Sequence, residues 1–368
     1  MNLIIMKTIL IFSNPFGFGP GGKALSIAQE ISRKNKKDNL YVCGGRQLKA
    51  IVGDSFKFIS LDERSEKDIF KKISKISGQK YIISSQNRFA IKVAKENKIP
   101  CAFLDGLSWF WKKIPDDHYI ADIIFWINYP GTKNKIPKKF KEKIHIVPGI
   151  TPGGSNVIKK IKREGVIFYI GGCKNPLTDL PTNYLYLINK LFESFFIYNN
   201  AKIKIASDPS SFGYFKRNKL AVSRSIKVYK HEEFIKQLAT CSKFISNGGQ
   251  TATMESYNLK TPTSFFLPIN LSQLNLINKI NKSNKISWGR YVLIPKNINH
   301  LSEKDAIIFF DKKAKLIINS KSLFAKLFKD FSLMILKNQF NKKNNFLAKI
   351  KTGGDKKIYR ILSNKWGI

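Results

Sequence analysis

The stretch that decides the fold begins Tyr229-Lys-His-Glu-Glu-Phe-Ile-Lys-Gln-Leu-Ala239. It continues Cys241-Ser-Lys-Phe-Ile-Ser-Asn-Gly-Gly-Gln-Thr-Ala-Thr-Met-Glu255. Its apolar spacing predicts a helix over Glu232–Thr240, a buried strand over Lys243–Ser246 and a second helix over Thr251–Asn258. A strand that runs through glycines into a helix is the phosphate-binding turn of nucleotide-binding α/β folds.

Polar groups along this turn predict the chemistry of its ligand. Gly248 and Gly249 stand at a helix N-terminus, where backbone N–H groups and the helix dipole favour an anion. Glu255 lies about one turn further in, and its carboxylate can accept two hydrogen bonds from vicinal hydroxyls such as those of a ribose. An anion site beside a diol acceptor describes a pocket for a nucleoside diphosphate.

The rest of the chain alternates strands and helices on both sides of a Pro/Gly-rich stretch, Val147-Pro-Gly-Ile-Thr-Pro-Gly-Gly-Ser155. This alternation predicts parallel sheets covered on both faces. We therefore expect an α/β fold of two Rossmann-like domains facing across a cleft. The expected division is an acceptor-binding domain over 1–150, a linker over 151–163, and a donor-binding domain over 164–368 with a closing helix at its C-terminus. The predicted strands are Lys7–Phe12, Leu40–Gly44, Lys57–Leu61, Lys80–Ser84, Cys101–Asp105, Gly165–Gly171, Lys202–Ala206, Ser225–Tyr229, Lys243–Ser246 and Thr263–Leu267.

Two further glycine turns follow predicted strands. The first, Asn14-Pro-Phe-Gly-Phe-Gly-Pro-Gly-Gly-Lys23, has glycines at 17, 19 and 22 and predicts a loop that opens a helix at Lys23. Gly19 and Gly22 would let the backbone approach a ligand closely, and a merely tight turn is the alternative. The second, Ile170-Gly-Gly-Cys173, could cradle a phosphate with its backbone N–H groups.

The run from Lys230 to Asn278 resembles the donor-binding half of GT-B glycosyltransferases. It is most similar to the bacterial enzyme that adds N-acetylglucosamine to lipid-linked muramoyl-pentapeptide and to the wider UDP-glycosyltransferase superfamily. The resemblance implies a UDP-sugar as donor substrate and no separate cofactor. It implies backbone contacts to uracil at Phe234 and Ile235, a ribose contact at Glu255, and sugar-hydroxyl contacts at Gln273 and Asn275. The remaining residues implied for the diphosphate end of the donor site are Gly171, Gly172, Asn247, Gly248, Gly249, Gln250 and Thr251.

The catalytic base is less determined by the sequence. The same family has a histidine at the end of its first glycine loop, where this chain has Lys23, which could neutralise donor phosphates instead. Asp105 ends the fifth predicted strand within Leu104-Asp-Gly-Leu-Ser-Trp-Phe-Trp111 and could act as a base, or serve as a helix N-cap or turn residue. His118 is a further candidate base. Trp109 and Trp111 could stack on a sugar or planar ring, and core packing is the alternative. The motif around Asp105 also resembles bacterial cytosylglucuronate synthase-like enzymes, which couple a UDP-sugar to a pyrimidine base.

The net charge is +40, from 65 Lys and Arg against 25 Asp and Glu. It has two interpretations, attraction to an anionic membrane surface or a bias toward lysine codons. The sequence carries no nucleic-acid-binding motif, so we expect no specific nucleic acid partner. Four scattered cysteines suit a reducing compartment, so we expect a cytoplasmic protein. If the charge serves to attract an anionic membrane, we expect the protein to lie peripherally on the inner face of that membrane.

We expect no metal site, since Asp116-Asp117 suits a solvated loop, and we expect His231 to be an exposed residue at a helix start. The acceptor would be a small molecule or a lipid-linked group. Three functions stay open beside sugar transfer: a nucleotide-sugar-binding protein without turnover, a UDP-sugar epimerase or hydrolase of the same fold, and an NAD-dependent enzyme. The last is disfavoured because no acidic residue closes the second strand.

Overall fold

The computed structural model describes residues 6–15, 18–111, 113–128, 136–151, 162–173, 178–199, 203–280, 285–336 and 351–368. The chain divides into two compact units. Unit 1 comprises Met1–Asn156 with Lys349–Ile368, and unit 2 comprises Val157–Ala348. Each unit holds one parallel sheet with helices, so the predicted α/β class with two Rossmann-like halves is confirmed.

Unit 1 is built on a seven-stranded parallel sheet of order β3-β2-β1-β4-β5-β6-β7. Most of its strands are runs of buried residues, as expected of a parallel sheet covered on both faces. The strand order reverses between β1 and β4, and ligands of such sheets bind at this reversal, beyond the carboxyl ends of the strands. The strands are β1 (Lys7–Ser13), β2 (Asn39–Gly44), β3 (Lys57–Ser60), β4 (Gln79–Ser85), β5 (Cys101–Asp105), β6 (Ile123–Ile127) and β7 (Ile144–Val147).

Within the described residues, the α-helices that connect these strands are α1 (Phe18–Lys34), α2 (Arg46–Val52), α3 (Glu66–Ile73) and α4 (Arg88–Glu96). The starts of α3 and α4 are fixed by side-chain caps. Ser65 accepts a hydrogen bond from the Asp68 amide, and Asn87 accepts one from the Ala90 amide. Such caps satisfy amides that have no partner within the helix.

The first glycine run does not form the predicted loop up to Lys23, because α1 already begins at Phe18. Pro20 is the third residue of the helix, where an N–H would have no intrahelical carbonyl to bind, so proline is tolerated there. The Ser85 hydroxyl at the end of β4 donates to the Pro20 carbonyl at 2.8 Å. This tertiary bond holds the first turn in place, and Gly19 and Gly22 are helical residues. Gly17 lies outside the described residues.

Unit 2 has a five-stranded parallel sheet of order β10-β9-β8-β11-β12, which reverses between β8 and β11. Its strands are β8 (Val166–Ile170), β9 (Ile203–Ser207), β10 (Ile226–Lys227), β11 (Lys243–Ser246) and β12 (Thr263–Phe265). Its helices are α5 (Thr182–Tyr198), α6 (Pro209–Arg217), α7 (His231–Thr240), α8 (Gln250–Asn258), α9 (Leu271–Ile280), α10 (Glu303–Asn319) and α11 (Lys321–Leu336). The helix, strand and helix predicted from the deciding stretch are α7, β11 and α8.

The C-terminal helix α12 (Gly354–Trp366) belongs to unit 1, so its predicted place in the donor-binding domain is wrong. The Ser26 hydroxyl on α1 donates to the buried Asp355 carboxylate at 2.9 Å. The Lys7 ammonium donates to the Trp366 carbonyl at 2.8 Å, where a cation complements the negative end of the helix dipole. Of the predicted linker 151–163, residues 152–161 lie outside the described residues.

Candidate functional site

The strand-order reversal in unit 2 brings the two predicted glycine turns together. Gly171 and Gly172 follow β8, and Asn247, Gly248 and Gly249 follow the adjacent β11. The Asn247 side-chain amide donates to the Gly171 carbonyl at 2.7 Å, and Asn247 is buried. The Asn247 Oδ1 atom is buried and has no hydrogen-bond partner among the described residues. This carbonyl oxygen is therefore an acceptor that a bound ligand could satisfy.

Two of these glycines are required by the backbone. Gly172 has φ +73° and Gly248 has φ +88°, in the left-handed region that side chains disfavour. A Cβ on Gly248 would also lie 2.7 Å from the Ile277 side chain on α9. Gly249, by contrast, has open space where a Cβ would stand, and it precedes α8 without a side-chain cap. No side chain of the turn therefore covers the N-terminus of α8, and a helix N-terminus favours a bound anion.

Glu255 and His231 form a pair at this edge of the sheet. Glu255 lies on α8 and is 3% exposed. His231 is the first residue of α7, and its Nε2 atom lies 2.8 Å from Glu255 Oε1. Burial disfavours the charged imidazole, but the Glu255 charge and hydrogen bond outweigh it and raise the pKa of His231. The prediction of an exposed His231 is therefore wrong: the ring holds the carboxylate that the sequence assigns to a ribose.

Phe234 and Ile235, whose backbone is predicted to contact uracil, lie within α7. The Phe234 amide donates to the Lys230 carbonyl at 2.9 Å inside α7, and its ring packs in the core with Phe244 and Leu238. Ile235 lies one residue further along the same helix and packs against the same core. Amides in the interior of a helix already donate hydrogen bonds to carbonyls of the same helix, so they are not available to a ligand. Backbone groups open to a base would lie before Phe234, in the first turn at His231.

Of the two predicted sugar-binding residues on α9, Gln273 lies beside the glycine turns. Gln273 is buried, its Oε1 accepts from the Ile269 amide at 2.9 Å, and a Cβ on Gly172 would lie 3.3 Å from its Nε2. Asn275 stands two residues on, and helix positions two apart point to different faces. The first amides of α9, those of Leu271 and Ser272, donate to the Glu303 carboxylate at 2.9 and 3.1 Å, a cap that the sequence analysis missed.

In unit 1 the carboxyl edge of the sheet carries a carboxylate–histidine pair. Asp105 ends β5 and is fully buried; its Oδ1 accepts from the Leu107 amide at 2.7 Å. Its Oδ2 lies 3.1 Å from Nδ1 of His118, whose side chain is 13% exposed. The His118 ring packs against Phe103 and edge-on to Trp111. Asp105 is thus a turn acceptor, as the alternative interpretation proposed, and it also orients an imidazole.

Polar groups without partners surround this pair. The Nε1 atom of Trp111 and the Oδ1 atom of Asp117 are buried and have no hydrogen-bond partner among the described residues. Asp117 Oδ1 lies 4.0 Å from His118 Nε2, and the other Asp117 oxygen pairs with Arg88 at 3.4 Å. The indole of Trp109 instead donates to the Gly106 carbonyl at 3.2 Å. Unsatisfied buried polar groups are costly and are typical of ligand sites.

No protein-family model matches the chain. No curated protein matches it. Solved structures do resemble it. The UDP-GlcNAc 2-epimerase of Methanocaldococcus jannaschii, solved with UDP-GlcNAc and UDP, has a TM-score of 0.53 at 13% identity and covers 98% of this chain and 100% of its own. MnaA of S. aureus, solved with UDP, has a TM-score of 0.50 at 10% identity and covers 99% of this chain and 97% of its own.

The chain has the GT-B fold. MurG of Acinetobacter baumannii is also similar, with a TM-score of 0.47 at 8% identity, covering 98% of this chain and 99% of its own. The predicted resemblance to GT-B proteins is confirmed at the level of the fold. The narrower resemblance to cytosylglucuronate synthase-like enzymes stays a prediction.

The position of Lys23 in this GT-B chain argues against its predicted roles. Lys23 is 1% exposed, and its ammonium lies 3.5 Å from the carbonyl of Gly19 in its own helix. A side chain enclosed in this way is not presented to a ligand. Among the described residues no group of three His, Cys, Asp or Glu could hold a metal ion. No helix in the described part of the GT-B chain combines the length and the apolar character that a membrane span needs.

Proposed function

We propose that this chain is a glycosyltransferase that moves a sugar from a UDP-sugar to an acceptor; a candidate donor site lies in unit 2, and a candidate base lies in unit 1. The observation that carries the proposal is the pair of Asp105 and His118, 3.1 Å apart at the carboxyl edge of the unit 1 sheet. Donor-site geometry alone would equally suit a protein that only binds nucleotide sugars. An oriented imidazole adds the proton acceptor that transfer to a hydroxyl or amine requires.

His118 would act through Nε2. Its Nδ1–H donates to the buried Asp105 carboxylate, which fixes the tautomer and leaves Nε2 as the acceptor of a proton. As the acceptor's oxygen or nitrogen forms its bond to the anomeric carbon, Nε2 takes the acceptor's proton. The bond between the anomeric carbon and the diphosphate oxygen breaks, and UDP leaves with the electron pair.

Unit 2 would bind the donor and stabilise the leaving group. The amides at the start of α8, beside Gly248 and Gly249, are placed to carry the charge that develops on the diphosphate. The Glu255 carboxylate would accept hydrogen bonds from the ribose hydroxyls. Gln273 lies next to Gly172 and would contact the diphosphate or the sugar. We propose that these backbone and side-chain groups stabilise the departing UDP without a divalent ion.

A product screen tests the proposal. The full chain is incubated with a panel of UDP-sugars and pooled hydroxyl and amine acceptors, and UDP release and product masses are followed over time. Transfer predicts UDP together with a conjugate heavier than the acceptor by one glycosyl residue, at a rate that EDTA leaves unchanged. UDP release with no conjugate would assign a hydrolase or an epimerase that hydrolyses or eliminates UDP, and saturable binding with no change in any donor would assign a binding protein.

A further inference from the structure

Tyr169 lies within the candidate donor site, beside Gly171. It was not among the residues that the sequence predicted for this site. It is the penultimate residue of β8, two residues before Gly171. Side chains two apart on a strand share a face, and a methyl group on Gly171 would collide with the Tyr169 hydroxyl. The tip of the phenol therefore lies over the first glycine of the turn predicted to hold the diphosphate.

Packing fixes the Tyr169 ring in this direction. Its centroid lies 5.2 Å from that of Phe234 on α7 and 6.1 Å from that of Phe244 on β11. Tyr169 packs against the apolar cluster that includes Phe234 and Phe244, so the ring is anchored on one side. Its hydroxyl lies beside Gly171. The phenol is a positioned group rather than a freely rotating one.

The hydroxyl itself makes no hydrogen bond within the part of the chain that the structure describes. Tyrosines that bury their rings ordinarily find a partner for this group. Burial raises the pKa of Tyr169, and the nearby charges of Asp208 and Glu255 raise it further. The phenol thus stays protonated at neutral pH, and an O–H donor stands unused at the edge of the sheet where ligands of this fold class bind.

We propose that the Tyr169 hydroxyl donates a hydrogen bond to a phosphate oxygen of the donor's diphosphate, which makes Tyr169 a further donor-binding residue. The inference rests on the proposed function. A phosphate fits better than a ribose hydroxyl because the hydroxyl lies over Gly171, whereas the ribose is assigned to Glu255 on α8. A phenol O–H paired with an anionic oxygen forms a charge-assisted bond, stronger than one between neutral groups.

The test is Tyr169→Phe, which keeps the ring packed on Phe234 and Phe244 and removes only the oxygen. Binding of UDP, UMP and uridine is measured for the wild-type chain and the variant by ligand-detected NMR and calorimetry. We expect the variant to bind UDP and UMP about tenfold more weakly and uridine within about twofold of the wild type. Tyr198→Phe is the matched control, since Tyr198 is 74% exposed at the end of α5 and should leave all three affinities unchanged.

Three other binding results would each contradict a different assignment. Equal loss of affinity for uridine and UDP would move the contact to the nucleoside and overturn the phosphate assignment. Unchanged UDP affinity in Tyr169→Phe, with a wild type that binds UDP, would overturn the role of Tyr169 and leave the proposed function standing. A wild-type chain that binds none of the three would overturn the proposed function, and the inference with it. An unchanged melting temperature confirms that the variant is folded.

Discussion

The Nδ1 atom of His118 lies 3.1 Å from Oδ2 of the fully buried Asp105, although thirteen residues separate the two in the chain. The other carboxylate oxygen of Asp105 accepts a hydrogen bond from the Leu107 amide. This bond holds the carboxylate in place independently of the histidine ring. A histidine held in this way presents one nitrogen to its partner and the other outward. In the proposed function, these two separate sequence candidates would act together, with His118 as the base and Asp105 as the residue that orients it.

Replacing His118 with alanine should lower the rate of sugar transfer by about 10²–10⁴-fold, the usual contribution of a general base. UDP affinity should stay within about twofold, because the donor site belongs to unit 2. The measurements are initial rates on the acceptor found by the product screen and UDP binding by calorimetry. His300→Ala, at an exposed histidine in unit 2, is the control. A His118→Ala variant with the full rate would remove the base assignment.

Replacing Glu255 with alanine should weaken UDP binding by about tenfold or more, since hydrogen bonds to a carboxylate are among the stronger ones. A ligand without ribose hydroxyls, 2′,3′-dideoxy-UDP, makes the test specific. The wild type should discriminate against it, and Glu255→Ala should bind it and UDP alike. Glu233→Ala, at an exposed position on α7, should keep the discrimination. Persistence of the discrimination in Glu255→Ala would assign the ribose to another group.

The sequence predicted much of the fold of both units because its signals are local. Strands β5 and β11 were predicted at their observed bounds, since each is a short apolar run closed by a polar residue or a glycine turn. The start of α1 was missed because glycine and proline favour a loop, and only the tertiary bond from Ser85 to Pro20 stabilises the turn. Strand β7 was not predicted; it has four residues, and His145 interrupts its apolar pattern.

Side-chain contacts between residues far apart in the chain could not be predicted from the spacing of residues in the sequence. His231 and Glu255 are 24 residues apart and lie on different helices, so neither local periodicity nor a motif indicates their contact. Tyr169 gave no signal because an aromatic residue in a buried strand is ordinarily core. The role that we propose for Tyr169 rests on the position of the phenol over Gly171, which the strand pattern alone does not indicate.

The His231–Glu255 pair should make the stability of unit 2 depend on pH. The pKa of His231 is raised above its ordinary value of 6.5 in the folded chain. Its charged form is therefore favoured by folding, so the stabilisation is fully present below pH 6.5 and is lost as the pH rises through the folded pKa. The melting temperature of the wild type minus that of His231→Asn should be largest at pH 5–6 and shrink above neutrality. A constant difference across that range would show that the pair does not titrate as assigned.

Gly354→Ala should destabilise unit 1 selectively by about 1–3 kcal/mol, the usual cost of overpacking. The Gly354 amide donates to the Gly149 carbonyl at 3.0 Å, and a Cβ on Gly354 would collide with the backbone carbonyl of Pro148. A backbone atom cannot move aside as a side chain does, so α12 must shift away from the sheet that it closes. Tryptophan fluorescence during urea unfolding reports the effect, because only Trp288 lies in unit 2 and the other four tryptophans lie in unit 1.

The control for this prediction is Gly289→Ala in unit 2, where a Cβ would meet open space. It should leave the fluorescence transition within about 0.5 kcal/mol of the wild type, as expected for a surface substitution. UDP affinity should be unchanged in Gly354→Ala under conditions where both units are folded, because α12 packs on α1 and β7 within unit 1, whereas the candidate donor residues belong to unit 2. A transition of unit 1 that Gly354→Ala does not shift would mean that α12 is dispensable for its stability, and that Ser26–Asp355 and Lys7–Trp366 do not hold it in solution.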